Sequence, residues 1–166
     1  MTLRDALIRE FDLELPFTRR SLERVPIDKF GWKPHEKSMS LGELVGHLAG
    51  IPNWAGIVMT SAEFEMSSAA GRKKPQIPMS RTALLKEFDA KVAEARASLA
   101  GKTDAELLAP WTLKSDGEEI FTLPKISALR SFVMNHSIHH RGQLSVYLRM
   151  KNVPLPSIYG PTADEA

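Results

Sequence analysis

The sequence predicts an all-α protein. Residues 1–166 are read as a single domain, a four-helix bundle with a long crossover connection and a small hairpin-like excursion before the last helix. Three observations predict this. Apolar residues recur at helical spacing in four long stretches. Ser or Thr precedes several helical runs, in places with Glu three residues further on, the pattern of a reciprocal N-terminal cap. Segments rich in Pro, Gly and Ser separate the runs. A chain of 166 residues can bury a substantial core.

The first helix is expected over residues 2–24, where Leu3, Leu7, Phe11 and Leu22 fall at helical spacing. Pro16 lies inside this run and is expected to kink the helix or shift its start, because it donates no hydrogen bond to the preceding turn. "VPIDKFGWKPHEKSM" at 25–39 has no periodicity and reads as a loop. "SLGE" at 40–43 has capping-box form, so a second helix runs from about 41 to about 62, bent near 48–52 by Gly50 and Pro52. Residues 66–79 read as a mobile loop. Ser80 caps a third helix, about 81–100, with an apolar stripe of Leu84, Leu85, Phe88, Val92, Ala95 and Leu99. Thr103 to Glu106 is another capping box, opening a short turn that ends at Pro110. "WTLKSDGEEIF" at 111–121 reads as a hairpin around Asp116-Gly117, and Pro124 opens a fourth helix over 124–150. An extended, proline-rich arm follows.

Composition narrows the function. The formal net charge is +2, and the one dense basic run is "GRKK" at 71–74, which argues against nucleic acid as a partner. There is no cysteine, so a transition-metal site has to draw on His, Asp, Glu or water. The first 20 residues lack the continuous apolar core of a secretory signal, and no run of 18 apolar residues suggests a membrane span. A cytoplasmic protein without membrane or nucleic-acid partners is expected.

"FVMNHSIHHRGQL" at 132–144 holds three of the five histidines. On a wheel of about 100° per residue, His136 and His140 lie about 40° apart, with Leu129, Val133, Gln143 and Tyr147 on the same side. Ile138, Arg141, Ser145 and Arg149 fall opposite, so both arginines are expected to face outward, Arg141 making surface or dimer contacts. An i, i+4 pair of imidazoles can offer two nitrogens to one metal ion. His47 occupies a similar apolar face in the second helix with Leu44, Ile51, Trp54 and Val58. Three interior histidines each need partners for both ring nitrogens, and a shared divalent cation supplies one to each. His139 lies to one side, where it could orient a ligand, contact substrate at the pocket rim or simply stand partly exposed at a helix interface, and His35 in the "KPHEK" loop is read as surface. Three neutral imidazoles leave coordination positions open, as catalytic sites do, and suit Zn, Ni, Cu or Fe.

Three stretches carry a resemblance to a known family. "NHSIHHRGQLSVYLR" (135–149) resembles the last-helix signature of the DinB/YfiT-like superfamily. "WKPHEKSMSLGELVGHLAGIPNW" (32–54) is similar to its first loop and second helix, and "VPLPSIYGPTADE" (153–165) to its C-terminal arm. The resemblance implies a four-helix bundle, commonly a homodimer. It also implies a divalent metal, Zn or Ni foremost, held by His47, His136 and His140. Family members include S-transferases that use bacillithiol, mycothiol or glutathione, and a maleylpyruvate isomerase; many have no assigned reaction.

The expected function is therefore metal-dependent chemistry on a small-molecule substrate, either S-transfer with a low-molecular-weight thiol as co-substrate or hydrolysis. Lacking cysteine, the chain has to import any thiol nucleophile. Gln143, Tyr147, Trp54 and His139 are candidate pocket groups, and no catalytic residue is assigned, because the capping box already accounts for Glu43. The alternatives are a non-catalytic stress-response protein in which the ion is structural, and a metal-free bundle with core histidines.

Overall fold

A computed structural model describes residues 1–71 and 77–166. The described chain is mostly helical, with one small three-stranded sheet. Arg72, Lys73 and Lys74 of the basic run, and the middle of the loop expected at 66–79, lie outside the described residues.

Helix α1 (Leu3–Glu23) opens on a capping box between Thr2 and Asp5. It continues through Pro16 with no shift in its start. Pro16 is exposed, so the Asp12 carbonyl that it leaves unpaired faces the solvent side, where water can satisfy it. The segment 25–39 holds a short 3-10 turn at Ile27–Lys29 and otherwise no regular structure.

The capping box at Ser40 is present in both directions. Ser40 Oγ accepts from the Glu43 amide at 3.1 Å, and Glu43 Oε2 accepts from the Ser40 amide at 2.7 Å. The second helical run splits where Pro52 breaks it, into α2 (Leu41–Gly50) and α3 (Asn53–Thr60). α4 (Arg81–Leu99) buries Leu84, Phe88, Ala95 and Leu99, with Leu85 and Val92 half-buried. α5 (Asp104–Leu108) follows its Thr103 capping box.

The hairpin is present as β2 (Pro110–Ser115) and β3 (Glu118–Pro124). Asp116 (φ 52°) and Gly117 (φ 83°) form its turn, the two left-handed positions that suit the right-handed twist of paired strands. A third strand, β1 (Glu63–Glu65), pairs parallel to β2 with Phe64 opposite Leu113. It was not expected, because three residues are too few to show a period. Here the all-α expectation is corrected to a mostly helical chain with a small sheet.

The fourth helical run starts after Pro124 and has three parts. α6 (Lys125–Leu129) passes into a π-helical segment (Arg130–Asn135) and then into α7 (His136–Met150). Residues 151–166 form the expected arm without regular structure.

One core joins these elements. α1 packs on α4 and α7, and α2 packs on the same two helices, around Phe11, Leu15, Leu44, Leu48, Phe88, Leu144 and Leu148. α2 and α7 are therefore neighbours although their contacting histidines are 89 positions apart.

Candidate metal centre

His47 stands in the second turn of α2, placed there by the capping box that fixes the helix start. His136 and His140 occupy the first turns of α7. Where the two helices meet, all three rings turn their Nε2 atoms toward one another. His47 Nε2 lies 3.1 Å from His136 Nε2, and His140 Nε2 lies 2.9 Å from His136 Nε2. The ring of His47 meets that of His140 edge-on, with centroids 4.5 Å apart. His140 is buried, while His47 and His136 are half-buried, so the cluster has one side toward solvent.

The opposite ring nitrogens are engaged elsewhere. His140 Nδ1 lies 2.7 Å from Gln143 Oε1. The Phe132 carbonyl, one turn before His136, favours the protonated form of its ring. A proton held on the far side of each ring would leave the two α7 imidazoles presenting lone pairs to the centre of the cluster.

Electrostatics keep the cluster neutral. Burial lowers the pKa of His47 to about 4, with repulsion from His140 and His136 adding to the effect. Burial also pushes His136 and His140 below the ordinary imidazole value, and their neighbouring histidines push them further. Neutral imidazoles are the ligating form, so no proton has to leave at neutral pH.

The donor set fits a divalent ion. Nitrogens bound at about 2.0 Å to a tetrahedral ion stand about 3.3 Å from one another. The two closest pairs here fall slightly inside that spacing, and all three candidate ligand atoms lie within 4.8 Å of each other. No carboxylate joins the group among the described residues. Glu43 is held in its capping box, where the Ser40 N–H and hydroxyl lower its pKa.

The structure brings together His47, His136 and His140, sets Gln143 against the His140 ring, and turns the remaining candidates away from the cluster. His139 is exposed; its ring touches that of His140 at 4.8 Å but turns no nitrogen into the cluster. His35 is on the surface, accepting from the Lys37 amide. Tyr147 packs edge-on against Trp32 and donates to the Met39 carbonyl at 3.1 Å, a packing role. Trp54 is half-buried and stacks on Phe132, whose other neighbours are Phe121 and Trp111. The sheet thus delivers an aromatic cluster to the helical segment that precedes His136.

Arg141 corrects the sequence reading. It does not face outward; its side chain is 5% exposed, and its Nη2 donates to Glu14 Oε2 of α1 at 2.7 Å. Its Nη1 donates to the Glu14 carbonyl, and the Tyr159 hydroxyl of the arm bridges Arg141 and Glu14. The buried face of α7 consists of Ser137, His140, Arg141, Leu144 and Leu148, so it is centred to one side of the histidines. The signal was present in α1: Glu14 and Thr18 sit on the Leu7, Phe11, Leu22 stripe, where an apolar residue is the norm.

A mostly helical scaffold with three convergent histidines on adjacent helices defines a class of candidate metalloproteins. This chain belongs to the DinB family, whose pattern matches residues 5–166. Among solved structures, it is similar to the DinB-like protein YjoA from Bacillus subtilis, with 24% identity and a TM-score of 0.68 over 94% of this chain and 99% of that one. A DinB-like protein from Bacillus cereus ATCC 10987 matches with 17% identity and a TM-score of 0.72, covering 95% and 98%. Both likenesses concern the fold. A shorter match, 42% identical over 38 residues, is to the uncharacterized protein YrdA of Bacillus subtilis strain 168; it spans 23% of each chain.

Proposed function

We propose that the chain is a divalent-metal-binding protein whose four helical runs act as a bundle holding the ion through His47, His136 and His140, and that it is an enzyme on small molecules. One observation supports this above the others: three Nε2 atoms from two helices converge within ligand spacing while burial holds the rings neutral. Zinc or nickel suits an all-imidazole set. A bound ion supplies Lewis acidity and lowers the pKa of a coordinated thiol or water. The three imidazoles hold it from one side, and the half-buried exposure of His47 and His136 leaves the other side for a substrate.

Thiol-dependent S-transfer and hydrolysis are the two reactions this favours, and the absence of cysteine from the chain means that a thiol has to come as co-substrate. Purified protein is expected to carry one divalent ion per chain, and His47→Ala and His140→Ala are each expected to abolish binding while the chain stays folded. Low-molecular-weight thiols paired with monochlorobimane, with and without chelator, then separate transferase from hydrolase or inert binder. Metal-free wild-type protein that cannot be reconstituted sinks the proposal. A homodimer in the cytoplasm completes the reading, and sedimentation analysis tests the assembly.

A further inference from the structure

We propose that Gln143 is a positioning residue of the metal centre, selecting the His140 tautomer that offers Nε2 to the ion. This rests on the metal-binding reading above.

A neutral imidazole carries one proton, and only the nitrogen without it can ligate. His140 Nε2 faces His136 Nε2 at 2.9 Å, so a proton placed there competes directly with a cation for the centre of the cluster. The side chain in contact with the other ring nitrogen is Gln143, with Oε1 2.7 Å from Nδ1. An amide oxygen only accepts, so this contact requires the proton on Nδ1 and frees Nε2. An amide nitrogen turned inward does the reverse, donating to Nδ1 and driving the proton into the cluster. The amide orientation therefore sets whether His140 is a ligand.

Beside His136 the group that favours a ring proton is the Phe132 carbonyl, which belongs to the backbone and which no side-chain replacement removes. Gln143 is a side chain, exposed on the solvent side of α7, so it can be replaced without opening the core. It stands three positions after His140, the spacing at which helical side chains meet. It is neutral, so the charge of the site stays that of the ion, whereas a carboxylate in its place keeps the acceptor and raises ligand basicity.

The test uses wild type, Gln143→Leu and Gln143→Glu, all good helix formers. Each is stripped of metal, checked for fold by circular dichroism, and titrated with zinc against a chromophoric chelator and with cobalt(II) by visible absorption. Gln143→Leu is expected to bind zinc about 10- to 100-fold more weakly than wild type, the usual effect of losing a ligand's outer partner. Its cobalt spectrum is expected to change, and long-range nitrogen–proton NMR of the metal-free protein should show His140 losing its fixed Nδ1–H form. Gln143→Glu is expected to bind at least as tightly as wild type.

Gln143→Leu binding zinc as well as wild type, with the tautomer unchanged, overturns the role of Gln143 and leaves the metal site standing. Equal weakening in Gln143→Leu and Gln143→Glu overturns the acceptor role in favour of shape alone. Folded wild type that binds no metal overturns the metal reading and this inference with it.

Discussion

Ser137, next to His136, is fully buried, and its hydroxyl has no hydrogen-bond partner among the described residues. An unsatisfied buried polar group costs about 1–3 kcal/mol, and Ala is the better helix former. Ser137→Ala is therefore expected to stabilise the protein by about 1 kcal/mol in urea denaturation; a loss of stability would show that the hydroxyl is satisfied. The opposite case lies one turn on. Arg141 and Glu14 are both buried, and removing one charge strands the other. Glu14→Ala is expected to cost about 3–5 kcal/mol, far beyond the effect of breaking an exposed pair such as Arg96–Asp12. These residues also show where the sequence was legible. The three histidines could be read because an imidazole on an apolar stripe is conspicuous. Arg141 is not legible in this way, because the histidines lie at the edge of the buried face of α7 and not at its centre.

At the scale of the element, most helix starts were legible because caps are local. Ser40, Ser80 and Thr103 each accept from the amide three residues on, as their spacing implies. The π-helical segment Arg130–Asn135 was not, because its extra residue is a response to packing at both ends. An uninterrupted wheel turns Ala128 away from the face that Leu144 and Leu148 bury, yet all three are buried. One extra residue restores the phase, rotating α7 by about 100° relative to α6. Deleting the exposed Ser131 is then expected to convert the segment to ordinary α-helix, with cooperative unfolding and zinc binding retained. Inserting an alanine at the same point should rotate both histidines off the site and abolish zinc binding. Equal outcomes for the two variants would show that the segment does not set the phase.

The C-terminal arm is a second element, held by carboxylates. Asp164 is lowered in pKa by hydrogen bonds from Arg149 and the Leu155 amide, and Glu165 by the Ser157 amide and then by Arg24 and Arg20. Because both folded values lie below the ordinary carboxylate value of about 4, their contribution is complete above that value. It is lost as pH falls through the lower, folded values. Hydrogen-exchange protection at the Leu155 and Ser157 amides, corrected for intrinsic rate, is expected to hold at neutral pH and to fall in acid below about pH 4. Protection that is independent of pH in that window would show that the arm is held by packing.

At the scale of the whole molecule, the candidate ligands come from two helices far apart in sequence, and only the folded chain brings them together. The helical wheel selects the same three histidines that the family resemblance implies, but no local pattern states which helices become neighbours. The juxtaposition has a thermodynamic consequence. An ion bound by both α2 and α7 binds the native state and not the unfolded chain, so it stabilises by mass action, about 2.7 kcal/mol when free metal is 100 times its dissociation constant. For a chain of this size each kcal/mol moves the midpoint by roughly 2–4 °C. Zinc-loaded protein is thus expected to melt roughly 5–10 °C above the same protein in excess chelator. His47→Ala should abolish the difference without abolishing the transition, because His47 is half-buried and the Leu44, Leu48 and Leu144 core beneath it remains. A loaded and a stripped sample that melt together would mean the ion does not bridge the two helices. The histidines would then be neighbours in the fold without being partners in a site.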